Sequence, residues 1–88
     1  MVYIVTYDLQ EPGQRYAELL ELIKSTRNWA RLGQSSYLID SNETAVQLRD
    51  RFLEVLDSND KLYVGQVLAP AAWTGMSEDV TKWIKERL

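Results

Sequence analysis

The feature that most constrains this chain is the order in which its apolar residues change period. Val2 to Leu9 is rich in β-branched and aromatic residues, as a strand is. Tyr16, Leu19, Leu20 and Ile23 then follow i, i+3, i+4, i+7 spacing after a Pro12-Gly13 turn, which predicts a helix. Ser25 to Asn28 reads as a turn. Trp29 to Leu32 and Ser35 to Asp40 read as two strands joined tightly at Gly33-Gln34. A second helix is expected to start at Ser41-Asn42-Glu43, with Ala45, Leu48, Phe52, Val55 and Leu56 on its apolar face. Asp57 to Asp60 is a strong turn, and Lys61 to Leu68 a further strand with Gly65 inside it as a bulge or a close contact. The order β-α-β-β-α-β predicts an α+β domain, a four-stranded antiparallel sheet with two helices on one face.

The tail from residue 69 adds a loop bracketed by Pro70 and Gly75. A helix capped by Ser77 follows, with Glu78 and Asp79 early, Lys82, Lys85 and Arg87 late, and Val80, Trp83, Ile84 and Leu88 as its stripe. With 88 residues the chain is expected to form a single domain, core 1–68 with a C-terminal loop and helix over 69–88. One sheet face needs a cover beyond the first two helices. Placing Tyr3, Val5, Tyr7 and Tyr63 on that open face gives three solutions: the third helix, a second subunit, or stacked bases. A basic-aromatic base-stacking segment is absent, which favours helix and dimer.

Composition removes several chemistries. There is no cysteine, hence no disulfide and no Cys-based zinc site, and no histidine, hence no Ser-His-Asp triad. Catalysis would have to use carboxylates, tyrosines, lysines or a metal held by oxygen ligands. Net charge is −3, which argues against tight non-specific binding of nucleic acid but leaves room for a local patch. No apolar run approaches a membrane span and no signal peptide is expected, so the expectation is a cytoplasmic protein without a membrane partner.

Asp8 closes the first strand. Its bland role is to bond the amides of its own turn before Pro12; its chemical role is half of a divalent-metal site. Asp57 and Asp60 lack the rest of a calcium-loop pattern and read as a solvated turn. Arg15, Arg27 and Arg31 are the candidate phosphate contacts. Arg27 and Arg31 near Trp29 could bind phosphate by charge with stacking, although such a pair is more often a surface cation–π contact. Arg49 and Arg51 would have to join the other three on one surface to build a nucleic-acid scaffold, although Arg49 next to Asp50 fits a surface ion pair better. Trp73 and Trp83 are expected to close the core against the sheet.

Tyr7-Asp8-Leu9, Pro12-Gly13, Tyr16, Trp29, Arg49-Asp50, the Asp57 to Asp60 turn, Trp73 to Gly75 and Trp83 together resemble the CRISPR-associated protein two superfamily, and more closely its SinR-like branch of short bacterial and phage proteins. The likeness spans nearly the whole chain and lies in the order of the motifs. It implies a ferredoxin-like fold and a homodimer. In the CRISPR branch the aspartate ending strand one comes from both subunits; some members are divalent-metal-dependent nucleases and others are scaffolds that hold DNA. The resemblance would make Asp8 a catalytic metal ligand for Mg²⁺ or Mn²⁺. This chain departs from that branch in helix one, where Arg15 and Lys24 stand against Glu11, Glu18 and Glu21. The expectation is therefore a small homodimeric regulatory or interaction module, non-catalytic and needing no cofactor, with a protein partner. The alternatives are a metal-dependent endonuclease acting on RNA or DNA through paired Asp8, and a non-catalytic nucleic-acid scaffold.

Overall fold

The computed structural model describes residues 1–10 and 12–88, and of residues 12–15 the backbone. The elements are β1 (Val2–Asp8), α1 (Pro12–Lys24), β2 (Trp29–Gly33), β3 (Ser36–Asp40), α2 (Ala45–Leu53), β4 (Lys61–Val67) and α3 (Glu78–Arg87). The four strands form one sheet in the order β2-β3-β1-β4, with every neighbouring pair antiparallel. Strand β1 is central and pairs along its length with β4, from Val2 opposite Val67 to Asp8 opposite Lys61. No helix among the described residues is long and apolar enough to cross a membrane.

The alternation of β1 sorts its side chains between two cores. Tyr3, Val5 and Tyr7 turn to the side of α1 and α2 and pack with Leu19, Ile23, Tyr37, Ile39, Leu48 and Phe52. Val2 turns the other way, where it meets Leu38 and Ile84 of α3, with Ile4, Leu32, Val67, Trp73, Val80 and Trp83 around them. The molecule thus has three layers: two helices, the sheet and one helix. Burying each of Val2, Leu38 and Ile84 contributes about 1.5–3 kcal/mol, enough to hold α3 down.

This corrects the expected open face. Tyr3, Val5 and Tyr7 are 3%, 0% and 5% exposed beneath α1 and α2, so they belong to the main core and offer no surface to a partner. Only Tyr63 of that set is exposed, at 64%, and it stands opposite Thr6 on the α3 side. Both rows of β1 are apolar, so alternation alone does not say which row meets two helices. The bulkier Tyr-Val-Tyr row fills the deeper core, and Tyr3 meets its polar demand by donating its hydroxyl to the Glu43 carbonyl at 2.8 Å.

Local chemistry sets most element ends. Helix α2 begins later than Ser41-Asn42-Glu43 suggests, because Thr44 is the better cap. Its hydroxyl accepts from Gln47 N while the Gln47 side chain accepts from Thr44 N, a reciprocal capping box. The helix stops at Leu53, so Val55 and Leu56 pack against the core from the turn that follows. Ser77 caps α3 by accepting from Val80 N at 3.2 Å, and Glu78 and Asp79 stand at its positive end. Gly75 has φ +81°, a conformation glycine adopts without strain. Trp73 and Thr81 join loop to helix through a 3.2 Å bond from the indole N–H.

Candidate functional site

The end of the sheet where β1 stops and β4 starts brings together Asp8, Lys61, Thr6 and Tyr63. With Tyr7 and Leu62 they line a shallow cavity of about 230 Å³. Asp8 is exposed and directly opposes Lys61. Thr6 accepts a 3.2 Å bond from the Ser36 hydroxyl. Register through Gly65 is continuous, so no bulge occurs there. Instead the Tyr63 ring lies across Gly65. A Cβ at that position would come 2.6 Å from Tyr63 Cε1, so glycine leaves the room the ring occupies.

The turn role expected of Asp8 is performed by Asp60. Its Oδ1 accepts from Gln10 N and its Oδ2 from Asp57 N, each at 2.8 Å. One carboxylate thereby ties the β1–α1 connection to the α2–β4 turn. The Asp57-Ser58-Asn59-Asp60 run carried this signal, but the partner across the fold, Gln10, is 50 residues away in sequence. The Asp8 carboxylate is left facing solvent with no side-chain hydrogen bond to another described residue. As a metal ligand it has little company: among the described residues no three His, Cys, Asp or Glu side chains cluster closely enough to hold an ion.

Beneath Asp8 lies a tyrosine cluster. Tyr7 and Tyr16 rings meet edge to face, 5.5 Å apart at 67°, and the Tyr16 hydroxyl donates to the Gln34 carbonyl in the β2–β3 connection. The Tyr7 hydroxyl is buried and meets no partner in hydrogen-bonding geometry among the described residues. Burial pushes its pKa far above the ordinary tyrosine value, the adjoining Tyr16 hydroxyl adds to the shift, and the charge of Arg31 works the other way. Tyr37 is shifted upward as well, by burial first, with Arg31 opposing and Tyr16 adding.

The arginines whose side chains are described do not form one surface. The Arg15 side chain lies outside the described residues. Arg27 is exposed in the α1–β2 turn with φ +72°. Arg31 is on β2, one edge of the sheet, where its Nε donates to the Gly33 carbonyl at 3.1 Å. Arg49 lines a groove against β4 at the opposite edge. Arg49 pairs with Asp50 at 2.9 Å, and Arg51 pairs with Glu43. The cation over Trp29 is Lys24, 5.0 Å from the ring centre, in place of Arg27 or Arg31. Trp73 and Trp83 pack in the α3 core as expected, and Arg87 stacks 4.2 Å over Trp83.

No family model matches the chain, and no curated protein does. Among solved structures it is similar to a hypothetical protein, TT1823, from Thermus thermophilus. The two are 27% identical and superpose with a TM-score of 0.71 over 85% of this chain and 90% of that one. That likeness agrees with a small α+β fold built on a four-stranded antiparallel sheet.

Proposed function

We propose that this chain is a homodimeric, non-catalytic interaction module with a ferredoxin-like fold, related to the CRISPR-associated protein two superfamily through its SinR-like branch. The carrying observation is the set of exposed large apolar side chains beside β4 and at its end: Val46, Tyr63 and Leu68 are 56%, 64% and 68% exposed. A monomer gains by covering such a set. The βαββαβ element order with strand order β2-β3-β1-β4 supports the ferredoxin-like assignment. The ion pairs of Arg49 and Arg51, their distance from Arg31 at the opposite sheet edge and the net charge of −3 weigh against a nucleic-acid scaffold.

A second reading rests on Asp8. Its carboxylate is exposed beside a cavity and is relieved of turn duty by Asp60. Two copies of Asp8 across a dimer axis would hold one Mg²⁺ or Mn²⁺ that keeps several waters, and the metal would lower the pKa of one water for attack on a phosphodiester. Mass tests the dimer that both readings require, and cleavage separates them. Sedimentation equilibrium gives the mass, and labelled RNA and duplex DNA with Mn²⁺ or Mg²⁺ report cleavage by wild type and Asp8→Ala. The module reading expects a dimer and no cleavage. Metal-dependent cleavage that Asp8→Ala abolishes, with the variant folded and dimeric, replaces it with the nuclease reading.

A further inference from the structure

We propose that two copies of this chain join edge to edge through β4, antiparallel about a two-fold axis at Val64, to make one continuous eight-stranded sheet. The proposal deepens the homodimer reading and rests on it.

The two edges of the sheet differ. Edge strand β2 has five residues, carries the exposed Arg31 in its middle and breaks register between Arg31 and Gly33. A short, charged, irregular edge discourages further pairing. Edge strand β4 has seven residues in unbroken register, no proline, and its one charge at the first position, Lys61. Half of its backbone N–H and C=O groups face away from β1 with no strand beside them among the described residues. Exposed Val46 and the groove it lines with Ala45, Arg49, Leu62, Tyr63 and Val64 run along this edge, so pairing there also covers apolar surface.

Side-chain chemistry selects the register. With Val64 opposite Val64 of the second copy, Tyr63 stands opposite Gly65 and Lys61 opposite Val67. Each Tyr63 ring already lies over the glycine of its own strand, and its neighbour across the interface is then another glycine. A shift that sets Tyr63 against Tyr63 crowds two rings on the axis. Charge agrees with the same choice. Residues 61, 63, 65 and 67 share the α3 side of the sheet, and exposed Glu86 of α3 lines a hollow with Gln66, Val67 and Leu68. Antiparallel pairing therefore brings Lys61 of each copy toward Glu86 of the other, in a hollow where the cations present, Arg87 and the Met1 amine, are already paired with Asp40, and symmetry makes two such contacts.

The chain lacks cysteine, so a single Val64→Cys gives a clean test. Residues opposed on a two-fold antiparallel pair sit roughly 4.5–5.5 Å apart at Cα, within disulfide reach. Mild oxidation is expected to link Val64→Cys into a covalent dimer and to leave Leu62→Cys, which faces Gln66, unlinked. Lys61→Glu and Glu86→Lys are each expected to raise the dimer Kd about tenfold, and the double exchange to restore it. A protein that is dimeric by mass, yet gives no Val64→Cys link and no rescue, overturns the β4 pairing and leaves the homodimer standing. A chain that sediments as a monomer at every concentration overturns both.

Discussion

At the scale of single residues, burial and backbone conformation decide the outcome. Tyr7 contributes its ring to the main core, while its hydroxyl is buried without a partner among the described residues. The adjoining Tyr16 hydroxyl already donates to the Gln34 carbonyl, so Tyr7→Phe is expected to change stability at neutral pH by less than about 1 kcal/mol, read by urea denaturation. Its pH dependence has a definite sign. The pKa values of Tyr7 and Tyr37 are raised in the fold, so the stability this reflects is complete below the unfolded value of about 10 and is lost as pH climbs above it. Circular dichroism between pH 8 and 12 is expected to show unfolding that begins above about pH 10, with a shallower decline in Tyr7→Phe. Arg27 is the complementary backbone case. At φ +72° it holds a left-handed conformation that glycine adopts freely, and Arg27→Gly is expected to raise stability by about 0.5–1 kcal/mol in the same titration.

At the scale of elements, the connections are held by side chains that bond backbone. The Thr44–Gln47 capping box starts α2 immediately before the turn that positions Leu48 in the core. Thr44→Ala is expected to cost about 1 kcal/mol, seen as a lower denaturation midpoint with an unchanged slope. Asp60 works between elements. It accepts from Gln10 N and Asp57 N and so holds the two loops beside Asp8 in one arrangement. Asp60→Ala leaves both amides to water and is expected to cost about 1–3 kcal/mol. Hydrogen exchange at Gln10 and Asp57 is expected to rise above that of the strand interiors in this variant, which separates loosening of the loops from global unfolding.

At the scale of the whole molecule, α3 decides which part of the sheet stays exposed. Ile84, 4% exposed, inserts between Val2 and Leu38, and Arg87 reaches Asp40 with Nε 3.3 Å from Oδ2. The helix shields the half of the sheet nearest Val2 and Leu38 and leaves Thr6, Tyr63 and the Asp8 end uncovered. Ile84→Ala is expected to cost about 2–4 kcal/mol and to increase binding of an apolar dye, because the cavity weakens the seat of α3, which with Trp73 forms the apolar cover on that face. If that dye response is absent, α3 is not what shields the Val2–Leu38 face.

The chain's own pattern specifies the element types and their order, since apolar period and turn chemistry are local properties. Pro12-Gly13 before a 3.6-residue stripe and the alternating 2–8 segment need no distant information, and Ser77 with Glu78 and Asp79 marks the start of α3 on local grounds alone. It also removed thiol and imidazole chemistry outright. Which row of β1 meets the two helices is settled by packing across the sheet. Val2-Ile4-Thr6 and Tyr3-Val5-Tyr7 are both suited to burial, and a one-residue change of face is invisible to alternation. The same holds at the site. Asp8 and Asp60 are both aspartates beside turns, and each was open to the same local role. The sheet brings Gln10 to Asp60 across 50 residues, and that long-range bond leaves Asp8 facing solvent. Pairing of distant segments depends on how whole faces bury against one another, which a local pattern does not encode.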